Sequence, residues 1–228
     1  LCDAEQAVFP PPTMGWYRRR KSVHFTAYNQ VASEFASHFN LDSWLISTVI
    51  HRCGKINFKE RQGLECVALG VDKTLHAIRQ KYEQYGIDRT PYVYVKADSG
   101  TYGMGIMTVH SGEEIYDINK KSRNKMNVIK EGVQNTEVII QEGVPTLDAQ
   151  AGDSAEPVVY LMRGEAVGKV WRINKGRGEE DSLNAMGMRF APFDETTFAA
   201  EAGIGLIGQL ATLSSAYEHY DHDGVEEV

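Results

Sequence analysis

VKADSGTYGMGIM, residues 95–107, is the most informative segment of the chain. Aromatic and β-branched residues lead into it from Tyr92. Gly100, Gly103 and Gly105 then fall close together, and a second apolar run follows. The pattern predicts a strand over 92–97, a glycine loop, and a strand over 105–110. Small residues let a backbone approach an anion closely and turn its N–H groups toward it. Lys96 alternates with Tyr94 and Tyr92 on one strand face, where its ammonium could stand beside phosphates. The plainer alternative is a hairpin whose glycines only serve tight turns. There is no Gly-Lys-Ser/Thr and the loop leads into a strand, which excludes a P-loop and a Rossmann turn.

On the N-terminal side, Leu75, Ile78, Tyr82 and Tyr85 step by three, four and three before Gly86, which predicts a helix over 71–85 ending on a glycine cap. Phe25, Tyr28, Val31, Ala32, Phe35 and Phe39 predict an amphipathic helix over 24–39. SWLISTVI, residues 43–50, reads as a strand, and 51–68 as a loop or irregular hairpin. Phe9 to Pro12 contains three successive prolines, so residues 1–20 form an irregular lead-in. On the C-terminal side, Ser111 and Glu114 fit a capping box for a short helix to about Asn119. TEVIIQE, residues 136–142, reads as a strand that ends at Gln141 and Glu142 and turns at Gly143 and Val144. Segments 157–162 and 166–174 form a hairpin about Arg163 and Gly164. Residues 175–188 are a glycine-rich loop, and a long helix covers 194–220. Strands and helices interleave, and the hairpin rules out a purely parallel sheet, so the class is α+β.

The net charge is −7, with 24 Lys plus Arg against 31 Asp plus Glu in 228 residues. No cationic excess exists to replace phosphate counterions, which argues against a nucleic-acid partner. No apolar run reaches the ~20 residues of a membrane span. No apolar core follows Asp3 and Glu5 as in a signal peptide. Cys2, Cys53 and Cys66 lack metal spacing and read as reduced thiols in a cytoplasm. The chain begins at Leu1, as a fragment or processed product would.

Arg172 lies between apolar residues of the second hairpin strand and needs a partner, because an unpaired buried charge is expensive. That partner is either a core carboxylate or a phosphate. Glu142 is likewise either a solvated strand end or a group placed for ribose hydroxyls.

In sequence order, these pieces resemble the ATP-grasp fold, with two α+β subdomains clasping ATP between mixed or antiparallel sheets. The wording VKADSGTYGMGIMTV, together with WYRRRKSVHF (16–25), GKINFKER (54–61), QEGVPT (141–146) and LNAMGM (183–188), is similar to a proteobacterial glutamate–cysteine ligase family. The resemblance runs from about Trp16 to Tyr217. It implies ATP and Mg²⁺, with glutamate and cysteine as substrates. It implies Lys21 and Lys96 at the phosphates, and Ser99, Gly100, Thr101, Tyr102, Gly103, Met104 and Gly105 as their cover. Gln141, Glu142, Gly143 and Val144 would form the adenine hinge. Arg172 and Asn184 would face phosphate and substrate in catalysis.

The chain after Asn184 has no Glu-x-Asn, which many ATP-grasp enzymes use for Mg²⁺. The nearest oxygen donors are Glu179, Glu180, Asp181 and Asn184. Arg52, Lys55, Lys59 and Arg61 are candidates for substrate carboxylates, or plain surface charge. The expected division is a lead-in over 1–20, a first ATP-grasp part over 21–90, a glycine-loop subdomain over 91–145 and a C-terminal subdomain over 146–228. Family chains extend further at the N-terminus, so a substrate-binding part is expected beyond this one. The alternatives are another ATP-grasp carboxylate–amine ligase and a nucleotide-binding module without activity.

Overall fold

The computed structural model describes residues 19–99, 105–126, 129–130, 133–134, 136–193 and 201–223. In chain order it contains α1 (Lys21–His38), a 3-10 turn (Ser43–Ile46), β1 (Ile50–Cys53), α2 (Leu64–Tyr85), β2 (Val93–Ala97) and β3 (Ile106–Val109). A second 3-10 turn (Glu113–Ile115), α3 (Lys120–Met126), β4 (Ile129–Lys130), β5 (Val133–Gln134), β6 (Val138–Glu142) and β7 (Ala149–Gln150) follow. The chain continues through β8 (Asp153–Met162), β9 (Glu165–Asn174), β10 (Met188–Pro192) and α4 (Glu201–Asp223).

Two four-stranded sheets organise the chain, in the orders β1-β6-β2-β3 and β10-β9-β8-β7, and β4 pairs with β5 alone. Every described pairing is antiparallel. In the first sheet β2 and β6 are central and buried on both faces, so they read as nearly continuous apolar runs. The helix α2 covers one face with a stripe of Leu64, Val67, Val71, Leu75, Ile78 and Tyr82, all in the main core. Its Gly86 end is left-handed, φ +64°, as the cap reading expects. The helix begins seven residues before the expected start, however. Gly63 takes φ +72° and opens it there.

Residues 43–50 do not form the expected strand. The Asp42 carboxylate accepts from the Trp44 amide at 3.0 Å, and the Trp44 ring stacks on Tyr85 at 5.3 Å, which winds the segment into a 3-10 turn. The loop expected over 51–68 contains β1, then a turn closed by an Asn57–Gln62 bridge. The Ser111 capping box does not form either. Glu114 accepts from the His110 amide, while the Asp72 side chain takes the Gly112 amide at 2.8 Å. Neither α3 nor β10 is expected from the sequence.

The hairpin of β8 and β9 forms as expected, turning through Arg163 and Gly164 at φ +55° and +82°. Its apolar face carries Ala155, Trp171 and Ile173, with Phe193 stacked on Trp171 at 4.7 Å. The final helix, α4, packs on α1 around Tyr28, Val31, Ala32 and Leu210. It also meets the hairpin, where Gly208 admits Leu161. Bidentate bonds of 2.7 and 2.9 Å from Arg19 to Glu218 close the α1–α4 contact. No helix among the described residues is long and apolar enough to cross a membrane.

The cysteine expectation needs correction. Cys53 and Cys66 form a disulfide. The early start of α2 against β1 joins two residues that look unrelated along the chain. Cys2 lies outside the described residues.

Candidate functional site

Strand register divides the side chains of the first sheet between its two faces. Tyr94 and Lys96 on β2, Ile139 and Gln141 on β6, and Arg52 on β1 alternate onto the face opposite α2. The helix α1 is tied to the end of this sheet. Buried Asp98 accepts from the Ser22 amide at 2.7 Å and from its hydroxyl at 2.8 Å, supplying the negative group that a helix start favours. That bond sets Lys21, the first helical residue, against the C-terminal end of β2, where its Nζ donates to the Ala97 carbonyl at 2.7 Å.

Lys96 is therefore close to a second cation. Its Nζ donates to neutral Gln141 Oε1 at 2.9 Å and stands 4.6 Å from the centre of the Tyr94 ring. Burial, and then the charge of Lys21, pull the Lys96 ammonium down to about 8, with Glu156 opposing. A half-buried pair of ammonium groups, one bonded to a neutral amide, suits an anion.

Arg172 enters from the other sheet. In the register of β8 and β9 it lies opposite Glu156, and its Nη1 donates to Glu156 Oε1 at 2.9 Å. Among the described residues, the Arg172 Nε is buried with no hydrogen-bond partner. Arg172 thus has its carboxylate partner and still carries an unmet donor. Glu156 is not expected from the sequence; its one signal is a charge directly before the run Pro157–Met162 of β8.

The acidic loop is held against the first sheet. Tyr94 Oη and Thr108 Oγ1 donate to the Glu180 carbonyl at 3.1 and 3.2 Å. Arg89 donates to Glu179 at 2.9 Å. Burial raises the Tyr94 phenol, the Tyr92 hydroxyl opposes that rise, and the charges of Asp181, Glu156 and Glu180 add to it. The Asp181 carboxylate also accepts from the Gly178 amide at 2.9 Å. A cavity of about 170 Å³ opens beside it, lined by Thr108, Ser122, Arg177 and Ser182 among others. Asn174 is buried and donates to the Leu183 and Ala185 carbonyls at 3.1 and 3.3 Å, fixing the backbone on both sides of Asn184.

Other candidates are placed differently. The Glu142 side chain turns into the protein, 4% exposed, and accepts from Trp44 Nε1 at 2.9 Å and the Val49 amide at 3.1 Å. Burial holds its carboxyl above the usual range. Any part Glu142 plays at a nucleotide therefore falls to its backbone. Removing this carboxylate in Glu142→Ala strands two donors and should cost about 1–3 kcal/mol, read as a lower urea midpoint. An unchanged midpoint would show that neither bond matters. Gly143 is required by close approach, since a Cβ there would lie 2.2 Å from the Tyr92 ring. Val144 is exposed at the strand end, and Ser99 is buried beside Asp98. Gly105 takes φ +64°. Gly100, Thr101, Tyr102, Gly103 and Met104 lie outside the described residues.

Arg52 shares the sheet face of Lys96, about 10 Å away by two strand spacings, and pairs with Glu137. Lys55 and Lys59 are exposed on the turn beyond β1. Arg61, also on that turn, donates to the Tyr116 carbonyl at 2.7 Å. The structure does not bring these three to Lys96.

The family model for glutamate-cysteine ligase matches residues 1–219. A crystal structure from Methylobacillus flagellatus KT, of a protein assigned as gamma-glutamylcysteine synthetase, aligns at TM-score 0.83 and 40% identity. The alignment covers 96% of this chain and 55% of that one, so the present chain spans little more than half of that relative's length. A D-cycloserine synthetase structure aligns at TM-score 0.40 and 12% identity, over 90% of this chain and 54% of its own, too distant to carry an argument. No curated protein matches the chain.

Proposed function

The chain belongs to the glutamate–cysteine ligase family, and on that premise we propose that it is an ATP-grasp core joining the glutamate γ-carboxylate to the cysteine amine. One wall of the clasp is built from segments 21–90 and 91–145, and the other from 146–228. The reading rests on one observation: Lys96 on β2 donates to Gln141 on β6 and lies in the field of Lys21 from α1 and of Glu156, the β8 carboxylate that holds Arg172.

In this reading the γ-carboxylate attacks the γ-phosphorus of ATP, ADP leaves, and an acyl phosphate forms. The cysteine amine then attacks the acyl carbon and phosphate departs, leaving the amide. No side-chain nucleophile is needed. The protein's tasks are to position the reactants and offset charge. Lys21 and Lys96 hold the ATP phosphates, and residues 99–105 cover them. Gln141 to Val144 receive the adenine. Arg172 holds the phosphoryl group in transfer, and Asn184 meets the substrate beside it. Arg52, Lys55, Lys59 and Arg61 are the proposed contacts for substrate carboxylates, with Arg52 nearest by register.

Hard oxygen donors suit Mg²⁺, and Glu180, Asp181 and Asn184, with Glu156 across the cleft, are the residues to hold it. Bound there, Mg²⁺ would supply charge neutralisation at the phosphates.

Amino-acid-dependent ADP release tests the proposal. Omitting glutamate or cysteine should each abolish most of the release. Release that depends on a different acid and amine would indicate another carboxylate–amine ligase. Nucleotide binding without turnover would indicate a binding module.

A further inference from the structure

On the face of the first sheet that α2 covers, three donor groups meet that the ligase reading does not use. His51 and Cys53 are two residues apart on β1 and point to the same side of the sheet. Cys66 stands in the first turn of α2. The His51 ring nitrogen and both sulfurs all lie within 4.8 Å of one another. The pocket is shaped for the imidazole. Gly70 follows Cys66 by one helical turn, and a Cβ there would lie 2.5 Å from His51 Cδ2 and 2.4 Å from Ile140 Cδ1. Glycine is disfavoured in mid-helix, and here it makes room for the ring.

A disulfide that only stapled α2 to β1 would have no use for an imidazole. Two thiolates and one imidazole, by contrast, are the donor set of a soft or borderline divalent ion. Tetrahedral bonds of about 2.3 Å to sulfur and 2.0–2.1 Å to nitrogen separate ligands by roughly 3.5–4 Å, so the two sulfurs must part on reduction, while the imidazole already lies within 4.8 Å of both. Cys53 is buried and Cys66 exposed, so a reductant, the ion and a completing water all have a route in. The helix start beside Cys66 also favours its thiolate.

We propose that His51, Cys53 and Cys66 form a binding site for a Zn²⁺-class cation in the dithiol state, and that the disulfide is the metal-free oxidised form. Two equivalents of a low-molecular-weight thiol reduce the S–S bond to two thiols and are themselves joined as a disulfide. Binding of the cation then displaces both thiol protons. In the reverse direction an oxidant of the disulfide class takes two electrons, the sulfurs join, and the ion leaves.

The test uses Co²⁺ as a coloured probe on the whole chain, reduced with a phosphine that is then removed. Reduced protein should take up one Co²⁺ with thiolate-to-metal charge-transfer absorption, and Zn²⁺ should bleach it. Oxidised protein should show none. His51→Ala should weaken the uptake at least about tenfold, since even groups that only support a ligand cost that much. Cys66→Ser should lose the absorption, and Cys2→Ser should keep it. As a check that needs no variant, Zn²⁺ should protect Cys53 and Cys66 of the reduced protein from alkylation, read by mass spectrometry. Reduced protein without the absorption, or without that protection, would overturn the site. Undiminished Co²⁺ affinity in His51→Ala would overturn the three-donor assignment.

Discussion

Arg172→Lys should lose roughly tenfold to a thousandfold of the amino-acid-dependent ADP release while keeping most of the nucleotide affinity, the range for removing one preorganised donor. Arg172 bonds Glu156 through Nη1 and keeps a buried Nε that no described residue meets. A planar guanidinium can therefore hold its carboxylate and still offer donors to a phosphoryl group whose charge spreads over several oxygens. Lysine retains the charge and one contact to Glu156 but lacks the fork. The competing account is a purely structural ion pair. It predicts a lower melting temperature with normal turnover per folded molecule, and that result would place Arg172 in the scaffold.

Lys96→Met should weaken nucleotide binding by about 1.5–3 kcal/mol, or roughly tenfold to 150-fold, through loss of a charge-assisted contact. The same variant should be more stable than the parent without nucleotide. In the folded chain burial and Lys21 hold Lys96 at about 8, against an ordinary 10.5. Between those values the unfolded chain binds more protons, so the parent gains stability as pH rises through that window. The penalty is complete below pH 8, and parent and variant should converge toward pH 10.5. Nucleotide affinity has the opposite trend, falling in the parent as pH rises through about 8 and lacking that step in Lys96→Met. Calorimetric titration across this range is the measurement. Equal affinities would remove Lys96 from the phosphates.

Local patterns were legible wherever one short stretch both produced the signal and satisfied it. The stripe of α2 and its Gly86 cap, β2 and β3 around the glycine run, and the Arg163–Gly164 turn all belong to this kind. The 43–50 segment failed because its apolar content suits a strand, while Asp42, Tyr85 and Glu142, two of them remote in sequence, hold it as a turn. The short β10 was missed because its five residues have meaning only opposite β9.

The candidate site divides in the same way. Local pattern establishes which residue types are available: a lysine at a strand end, a glycine loop, an arginine within an apolar strand and an acidic loop. Which of them meet is set by long-range packing. Antiparallel register puts Arg52, Gln141 and Lys96 on one face, and the Asp98 bond to Ser22 brings Lys21 to them. Register across β8 and β9 gives Arg172 the partner Glu156, and burial turns Glu142 away from the cleft toward Trp44. The His51, Cys53 and Cys66 cluster has the same origin. Its spacing carries no signal, because its geometry comes from packing a helix on a strand, and contacts between distant segments leave no local periodicity to read.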